Sequence, residues 1–509
     1  MRPRRRDTAN TGAKDHVGRS VRYRNLVNPF EPTRIFSDDQ VETIHLTALE
    51  MLERQGMRVL SARGRAVLAA AGAKVDDSTQ MVHVEPGMVA EALKTVPAEV
   101  ELSARNPARS CRVGGRHVVF APVAGPPSVS DLQGGKRTGS LEEFRNFVRL
   151  SQSFDVIHVL GQMVEPQDVP LSERHLQTSL AQLTLGDKAP YFYCRGAAQL
   201  ADCFAMARIA HGMDAATFRS TPVCYTICNT NSPLQLDVPM TEGIVEFAAN
   251  GQLVIVTPFT LAGAMAPITI AGALTLAHAE ALLGITLTQA VRPGAPVMYG
   301  SFTSNVDMKS GSPAFGTPEY TKAAFGAGQR ARRIGVPWRS SSATASNAPD
   351  AQSAYESQMS LWGALLGGCH FILHSAGWLE GGLTASYEKF ILDVEMLQMF
   401  AEIFQPVGTS VEDLGVEAVV EAGIGGHFFA TAHTMQRYRD AFYMPLVSDW
   451  RNYGAWSDDG GKSATERASQ VARNTVESFQ PPALDPAVGE ALTDFVARRR
   501  SEGGALPVS

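Results

Sequence analysis

The chain has 509 residues, a net charge of −6 and 44% hydrophobic residues, the composition of a soluble enzyme with a large core. No global basic excess points to nucleic acid. The longest apolar segment, Leu253–Leu283, is broken by Pro258, Gly263, Pro267, Gly272 and His278, so it reads as buried pieces and not as a membrane span.

Residues 1–25 crowd Arg2, Arg4, Arg5, Arg6, Arg19, Arg22 and Arg24 among few apolar residues. No apolar h-region follows, which excludes a secretory signal and leaves a basic tail or an arm across a subunit interface. The run 37–56 predicts a helix. Ser37 is its N-cap with Gln40 three residues on, Gly56 ends it, and Val41, Ile44, Leu46, Ala48, Leu49 and Leu52 form its buried stripe. Helices over 63–71 and 84–95 and strands over 100–103 and 112–113 complete an N-terminal α+β cap spanning 26–115.

From there one unit repeats: a β-like run ending in small or polar residues, then a helical stretch. The runs are 117–123, 156–164, 190–196, 222–232, 253–263, 296–304, 338–345 and 370–377. Helical stretches such as Ile268–Ala290 and Tyr355–Leu366 separate them. About eight β/α units predict an α/β fold, a (β/α)8 TIM barrel over 116–405, with its chemistry at the C-terminal strand ends. Beyond it, a loop and short helix over 408–422, a Gly-rich turn continuing as a helix over 423–445, a helix over 463–477 and a last one from Pro481 make a C-terminal helical extension, 406–509.

The six cysteines form no C-x2-C pair, and Cys224 and Cys228 share one strand, about 13 Å apart. That spacing excludes a shared zinc ion, and the composition suggests reduced cytoplasmic thiols. No nucleophile elbow, H-E-x-x-H, phosphate loop or dinucleotide fingerprint is present. His158 and His374 lie on strands outside any metal-ligand triplet, so no metal is expected.

The strand ends instead gather aromatic residues and neutral hydrogen-bonders: Gln162 at the second, Arg195 at the third, Tyr225, Asn229 and Asn231 at the fourth, Phe259 at the fifth. Tyr299, Ser301, Phe302 and Thr303 follow at the sixth, Trp338 and Ser346 at the seventh, and His374, Trp378 and Glu380 at the eighth. Aromatic faces around a cavity hold a quaternary ammonium by cation–π attraction, although each single ring could equally fill the core. The long Ser/Gly/Pro-rich loop 301–320 is a candidate lid or binding loop, or a packed surface loop. Asp350 is a candidate helix cap.

The runs 259–311, 316–397 and 426–450 resemble the trimethylamine methyltransferase family, and the similarity extends back to 28–45. The resemblance implies a (β/α)8 methyltransferase that passes a methyl group from a methylated amine to cob(I)alamin, with the corrinoid carried by a separate small protein. The chain has only standard residues and so resembles the branch without pyrrolysine, which includes demethylases of glycine betaine and related betaines. His374 opens HSAGWLEGG and matches the family's H-A-A-G-like motif. It and Glu380 are the candidate catalytic residues.

Tyr225, Asn229, Phe259, Tyr299, Phe302, Trp338, Arg195 and Trp378 are candidates to bind substrate. Gln162, Asn231, Ser301, Thr303 and Ser346 are candidates to face the corrinoid. Arg195, His374 and the Asn229–Asn231 amides are candidate donors to a betaine carboxylate. Demethylating a quaternary ammonium releases a neutral tertiary amine and needs no general acid, which suits a site without one. The alternatives are demethylation of trimethylamine or another methylamine, and a degenerate member that only binds a quaternary amine. A homo-oligomer is expected, with no membrane or nucleic-acid partner.

Overall fold

The structure is a computed structural model that describes residues 22–508. The basic tail expected over 1–25 therefore lies outside the described residues, except for Arg22–Asn25. The fold is α/β with mixed sheets. Its largest sheet contains six strands in mutually parallel pairings: β1 (His117–Phe120), β2 (Tyr225–Thr230), β3 (Leu253–Ala262), β4 (Val297–Gly300), β5 (Trp338–Ser341) and β6 (Phe371–Leu373). They lie in the order β2-β3-β4-β5-β6-β1. Val254–Val256 and Phe371–Leu373 are thus strands of one sheet, as the sequence suggests.

The period-2 alternation of a strand decides which residues go where. Leu253, Ile255, Met298, Phe371 and Leu373 join one apolar cluster inside the sheet, while Val254, Val256, Val297, Tyr299 and Ile372 face the helices in a second. The N-terminal hairpin strands Glu99–Leu102 and Cys111–Gly114 add Val100, Leu102, Cys111 and Val113 to the inner cluster. Ser103 N–H donates to Pro222 O and Asn106 N–H to Asp187 O. The hairpin therefore crosses the N-terminal end of the sheet and leaves the C-terminal end for the site.

The second and third runs expected as strands, 156–164 and 190–196, are not strands. They are extended segments with isolated bridges, Val159 to Ala189 and Tyr191 to Tyr225. Among the described residues no named strand joins β1 to β2. The physical reason lies in the partners. His158 N–H donates to Phe120 O, but the return bond from Phe120 N–H goes to His158 Nδ1, 3.0 Å, in place of a backbone carbonyl. Pro122 and Pro190 have no N–H to offer.

Helix α1 (Asp38–Arg54) carries the expected Ser37–Gln40 capping box. Helix α2 (Ile270–Val291) is long and apolar enough to cross a membrane, yet 83% of its most apolar window is buried within the fold. Gly284 lets it approach β3, since a Cβ there would sit 2.5 Å from Val256. Helices α3 (Pro318–Ile334), α4 (Ala351–Leu366) and α5 (Tyr387–Ile403) follow β4, β5 and β6. Helices α6 (Ala464–Glu477) and α7 (Pro486–Ser501) pack outside, on α5 and on Arg174–Leu185 and Ala197–His211 respectively. A second sheet, made of Ser128–Asp131, Gly135–Thr138, Trp378–Leu379 and Thr384–Ser386, was not expected. The helix expected through 423–445 shrinks to Ala432–Arg437.

Burial of His158 pulls its imidazole down to about 4, and Nε2 faces Arg24 O at 3.1 Å while Nδ1 accepts from Phe120. The unfolded chain protonates this residue near 6.5, so between 6.5 and 4 it binds more protons than the folded one, and stability falls as pH drops. Thermal melts at pH 7.5 and pH 5 should show a loss of about 2 kcal/mol from this group. His158→Gln should shrink the pH dependence. An equal dependence in both proteins would disprove the assignment.

Candidate active site

At the C-terminal ends of β3, β4 and β6 the structure gathers four of the expected residues. Phe259 and Phe302 have ring centroids 5.1 Å apart, Phe302 and Trp378 6.2 Å, and His374 lies 5.7 Å from Phe302 and 3.8 Å from Trp378. Phe315, not anticipated, stacks on Phe302 at 5.2 Å. It comes from the 301–320 loop. That loop is a β excursion: Phe302–Val306 pairs with Phe259–Ala262 on one side and Pro313–Ala314 on the other. The excursion folds back and seats Phe315 in the cluster.

The residue the sequence reading missed is Arg339. Trp338 faces the helices, so period-2 alternation turns Arg339 inward. It is 1% exposed, and its guanidinium carbon lies 5.4 Å from the Phe302 ring centroid. Its Nε and Nη1 have no hydrogen-bond partner, and no carboxylate pairs with it among the described residues. Burial pulls it down to about 10, still charged at neutral pH. Four further buried polar atoms on these strands and the loop after β6 have no partner: Thr257 Oγ1, Ser341 Oγ, His374 Nδ1 and Trp378 Nε1. Gly300, its neighbour across from β4, keeps that wall low. Burial, and then the charge of Arg339, hold His374 well below the ordinary histidine range, so it is a neutral imidazole.

Three expected rings lie elsewhere. Tyr299 and Trp338 occupy the outer row; Tyr299 OH meets His278 Nδ1 at 3.1 Å. Tyr225 is inside but deep, stacked on Tyr191 at 5.1 Å and donating to Leu160 O at 2.6 Å. Arg195 is not a free anion donor: it pairs with Glu165 at 3.0 Å and covers the Tyr193 ring. Glu380 pairs with Lys136; burial alone would raise it, but Lys136 and Thr384 hold it below the usual carboxylate range.

The polar residues expected to face a corrinoid are spent on the fold. Gln162 donates to Tyr191 O, Asn231 to Asp237, and Ser346 to Ala348 O and Asp350. Thr303 sits 2.7 Å from the Thr260 hydroxyl and 3.3 Å from that of Ser301. Asn229 alone is exposed on the inward row of β2. Asp350 caps α4 as expected.

Buried helix carboxylates hold the loops around this cluster. Glu356 on α4 accepts from the Thr344 hydroxyl and from the N–H groups of Ala345 and Ser346. Asp393 on α5 accepts from Gly377 N–H and pairs with Lys389. His374 itself sits at φ +58°, in the left-handed region, a strained placement that the surrounding loop must enforce. Among the described residues no three His, Cys, Asp or Glu side chains gather as a metal site.

A buried cation, aromatic rings and neutral polar atoms thus gather at the strand ends. Comparison with known proteins gives the family. Residues 2–504 match the trimethylamine methyltransferase (MTTB) family, and the chain belongs to it; it is a methyltransferase. It is 34% identical over 472 residues to the glycine betaine methyltransferase of Desulfitobacterium hafniense strain Y51, covering 92% of this chain and 98% of that one. It is 29% identical to the trimethylamine methyltransferase of D. hafniense strain DCB-2, covering 92% and 94%. The monomethylamine methyltransferase structure of Methanosarcina barkeri aligns with a TM-score of 0.48 at 12% identity, covering 90% of this chain and 97% of that one.

Glu356→Leu removes the single acceptor oxygen that Thr344, Ala345 and Ser346 share. The change should cost about 1–3 kcal/mol and free the 342–349 loop. A lowered melting temperature together with faster proteolysis within this loop is the expected result, and an unchanged melt would show that the carboxylate does not hold it.

Proposed function

We propose that the protein moves a methyl group from a quaternary ammonium bearing a carboxylate, glycine betaine or a related betaine, to a corrinoid on a separate protein. The observation that carries this reading is Arg339: a charged, buried guanidinium with no carboxylate of its own, beside Phe302, Phe315, Phe259 and Trp378. Bidentate pairing with a substrate carboxylate would satisfy it. The rings would hold the trimethylammonium head. A bare methylammonium cation would meet Arg339 with no compensating anion, which disfavours trimethylamine. The glycine betaine methyltransferase relative supports the same choice.

The corrinoid is a second substrate whose contribution is to accept the methyl. This chain's residues bind and orient the donor and exclude water. The C–N bond breaks, its electron pair stays on nitrogen, and a neutral tertiary amine leaves without a proton. Gln162, Asn231, Ser301, Thr303 and Ser346 shape the rim, and Asn229 remains free to meet what docks there.

The same reading closes the sheet into a (β/α)8 barrel through the bridged segments 156–164 and 190–196. It also divides the chain into tail, cap over 26–115, barrel over 116–405 and C-terminal extension, in a cytoplasmic enzyme.

The test mixes enzyme, reduced corrinoid protein and candidate amines, follows the corrinoid spectrum, and titrates betaines calorimetrically without the corrinoid. Arg339→Met should weaken betaine binding by at least about thirtyfold, the cost of losing a buried charge partner. Phe302→Ala should weaken it by roughly tenfold. Turnover of trimethylamine with no response to any betaine would end the proposal. Betaine binding without methyl transfer to a competent corrinoid protein would make this a binding protein.

A further inference from the structure

Outside the aromatic cluster, one cavity carries charges that the fold leaves unanswered. It holds about 220 Å3 and lies where the second sheet, the helix Leu141–Ser153, the first turn of α5 and α6 meet. Drug-sized ligands take about 300–1,000 Å3, so this cavity suits a smaller molecule. None of Phe259, Phe302, Phe315, Arg339, His374 and Trp378 lines it.

Most of the ionic groups around it are spent on one another. Arg137 pairs with Asp131 at 2.7 Å and with Glu143 at 2.6 Å. Tyr387 OH donates to the other oxygen of Glu143. Glu477 stands exposed at the rim, where water screens it. Two groups are left over. Glu388 lines the cavity and is 1% exposed. Its Oε1 accepts from Leu132 N–H at 3.1 Å, and its Oε2 has no partner. Lys389, next in sequence, pairs with Asp393 instead. A buried carboxylate without a cation is costly. Arg473, half-buried on α6, reaches only neutral atoms, Ser469 Oγ at 3.4 Å and Gln470 Oε1 at 3.1 Å. No carboxylate pairs with it among the described residues.

We propose that this cavity is a second binding site, for a small amino-acid zwitterion whose nitrogen carries a proton. The ammonium gives Glu388 Oε2 its missing donor, and the carboxylate pairs with Arg473. Methyl groups on the nitrogen rest against the Tyr387 ring, which Phe147 holds by stacking at 4.6 Å, and against Ala472 and Val476 of α6. A simple anion would leave Glu388 unanswered, and a simple amine would leave Arg473 so. No three His, Cys, Asp or Glu side chains gather here as a metal site among the described residues.

The proton on nitrogen decides selectivity. A quaternary ammonium has no N–H to donate, so a betaine leaves the buried oxygen of Glu388 unsatisfied. A tertiary amine released into neutral water takes up a proton and gains that donor. The cavity therefore selects the demethylated product over the substrate. This last step rests on the proposed demethylation, whereas the zwitterion class rests on the cavity alone. The strand Thr384–Ser386 leads into Glu388 and pairs with Trp378–Leu379, so the two sites share one sheet.

Calorimetric titration of the full chain with N,N-dimethylglycine, glycine betaine, dimethylamine and acetate, each up to about 10 mM, tests the proposal. It is run on Arg339→Met, in which the betaine site at the strand ends is weakened. There dimethylglycine should bind, and the other three should each bind at least about tenfold more weakly. Glu388→Gln and Arg473→Gln, each added to Arg339→Met, should weaken dimethylglycine by at least about tenfold. Circular dichroism checks that each variant keeps its fold, and Arg473 lies near the surface, where its loss is tolerated. Three results would overturn the proposal: no dimethylglycine binding to Arg339→Met, binding that neither cavity variant changes, or equal affinity for betaine. The titrations involve no corrinoid and no turnover, so they stand or fall apart from the proposed methyl transfer.

Discussion

The site depends on one charge that the fold buries without a counter-ion. Moving a guanidinium out of water is costly unless it is paired or hydrogen-bonded, and Arg339 has two nitrogens without partners. The Phe302 face offsets part of that cost. The same charge sets its surroundings. Together with burial it keeps His374 neutral, so the second nitrogen base at the site is a hydrogen-bonder and not a second cation. Thr257, Ser341 and Trp378 add neutral, unpartnered polar atoms. On the proposed reading, one fixed positive charge, neutral donors and aromatic walls suit a ligand with separated charges of both signs.

The scaffold that holds this arrangement uses one device repeatedly. A carboxylate on a helix behind the sheet reaches through to bind the backbone of a loop. Glu280 on α2 takes Leu234 N–H and the Thr230 and Ser232 hydroxyls, and burial raises its pKa. Glu356 takes the 344–346 loop, and Asp393 takes Gly377 between His374 and Trp378. Each contact converts an unsatisfied buried N–H into a charge-assisted bond. Together they explain how an irregular, partly strained loop set stays in one conformation near the cluster.

The repeating β/α pattern was legible because strand and helix periods differ and the runs recur at regular spacing. The failures have local causes. Segments 156–164 and 190–196 look like strands by composition, but a histidine ring replaces one backbone partner and prolines remove others. Phe302 and Phe259 were readable as rim residues. Tyr299 and Trp338 read as part of the same rim only when the face each residue takes on its strand is ignored. Applying period 2 to WRSS would have turned Trp338 outward and Arg339 inward. Phe315 was not legible, because its place depends on how the 301–320 loop folds back. Nothing in the sequence separates Glu280 from other helix glutamates, and only the tertiary fold shows that it and Glu356 are buried against loops.

On the betaine reading, the site faces a problem that binding alone does not solve. Aromatic walls stabilise the cationic substrate, yet the nitrogen loses its charge as the methyl departs, so cation–π attraction favours the ground state over the transition state. Arg339 acts in the opposite sense. Its charge is held by the carboxylate but stands close to the ammonium, and this repulsion is relieved as positive charge moves away with the methyl. The paired carboxylate screens part of that field, and burial leaves the remainder stronger than it would be in water. The same residue thus accounts for recognition of the carboxylate and for a push on the leaving methyl, in a site that has no acid to protonate the amine and, for a quaternary donor, no need of one.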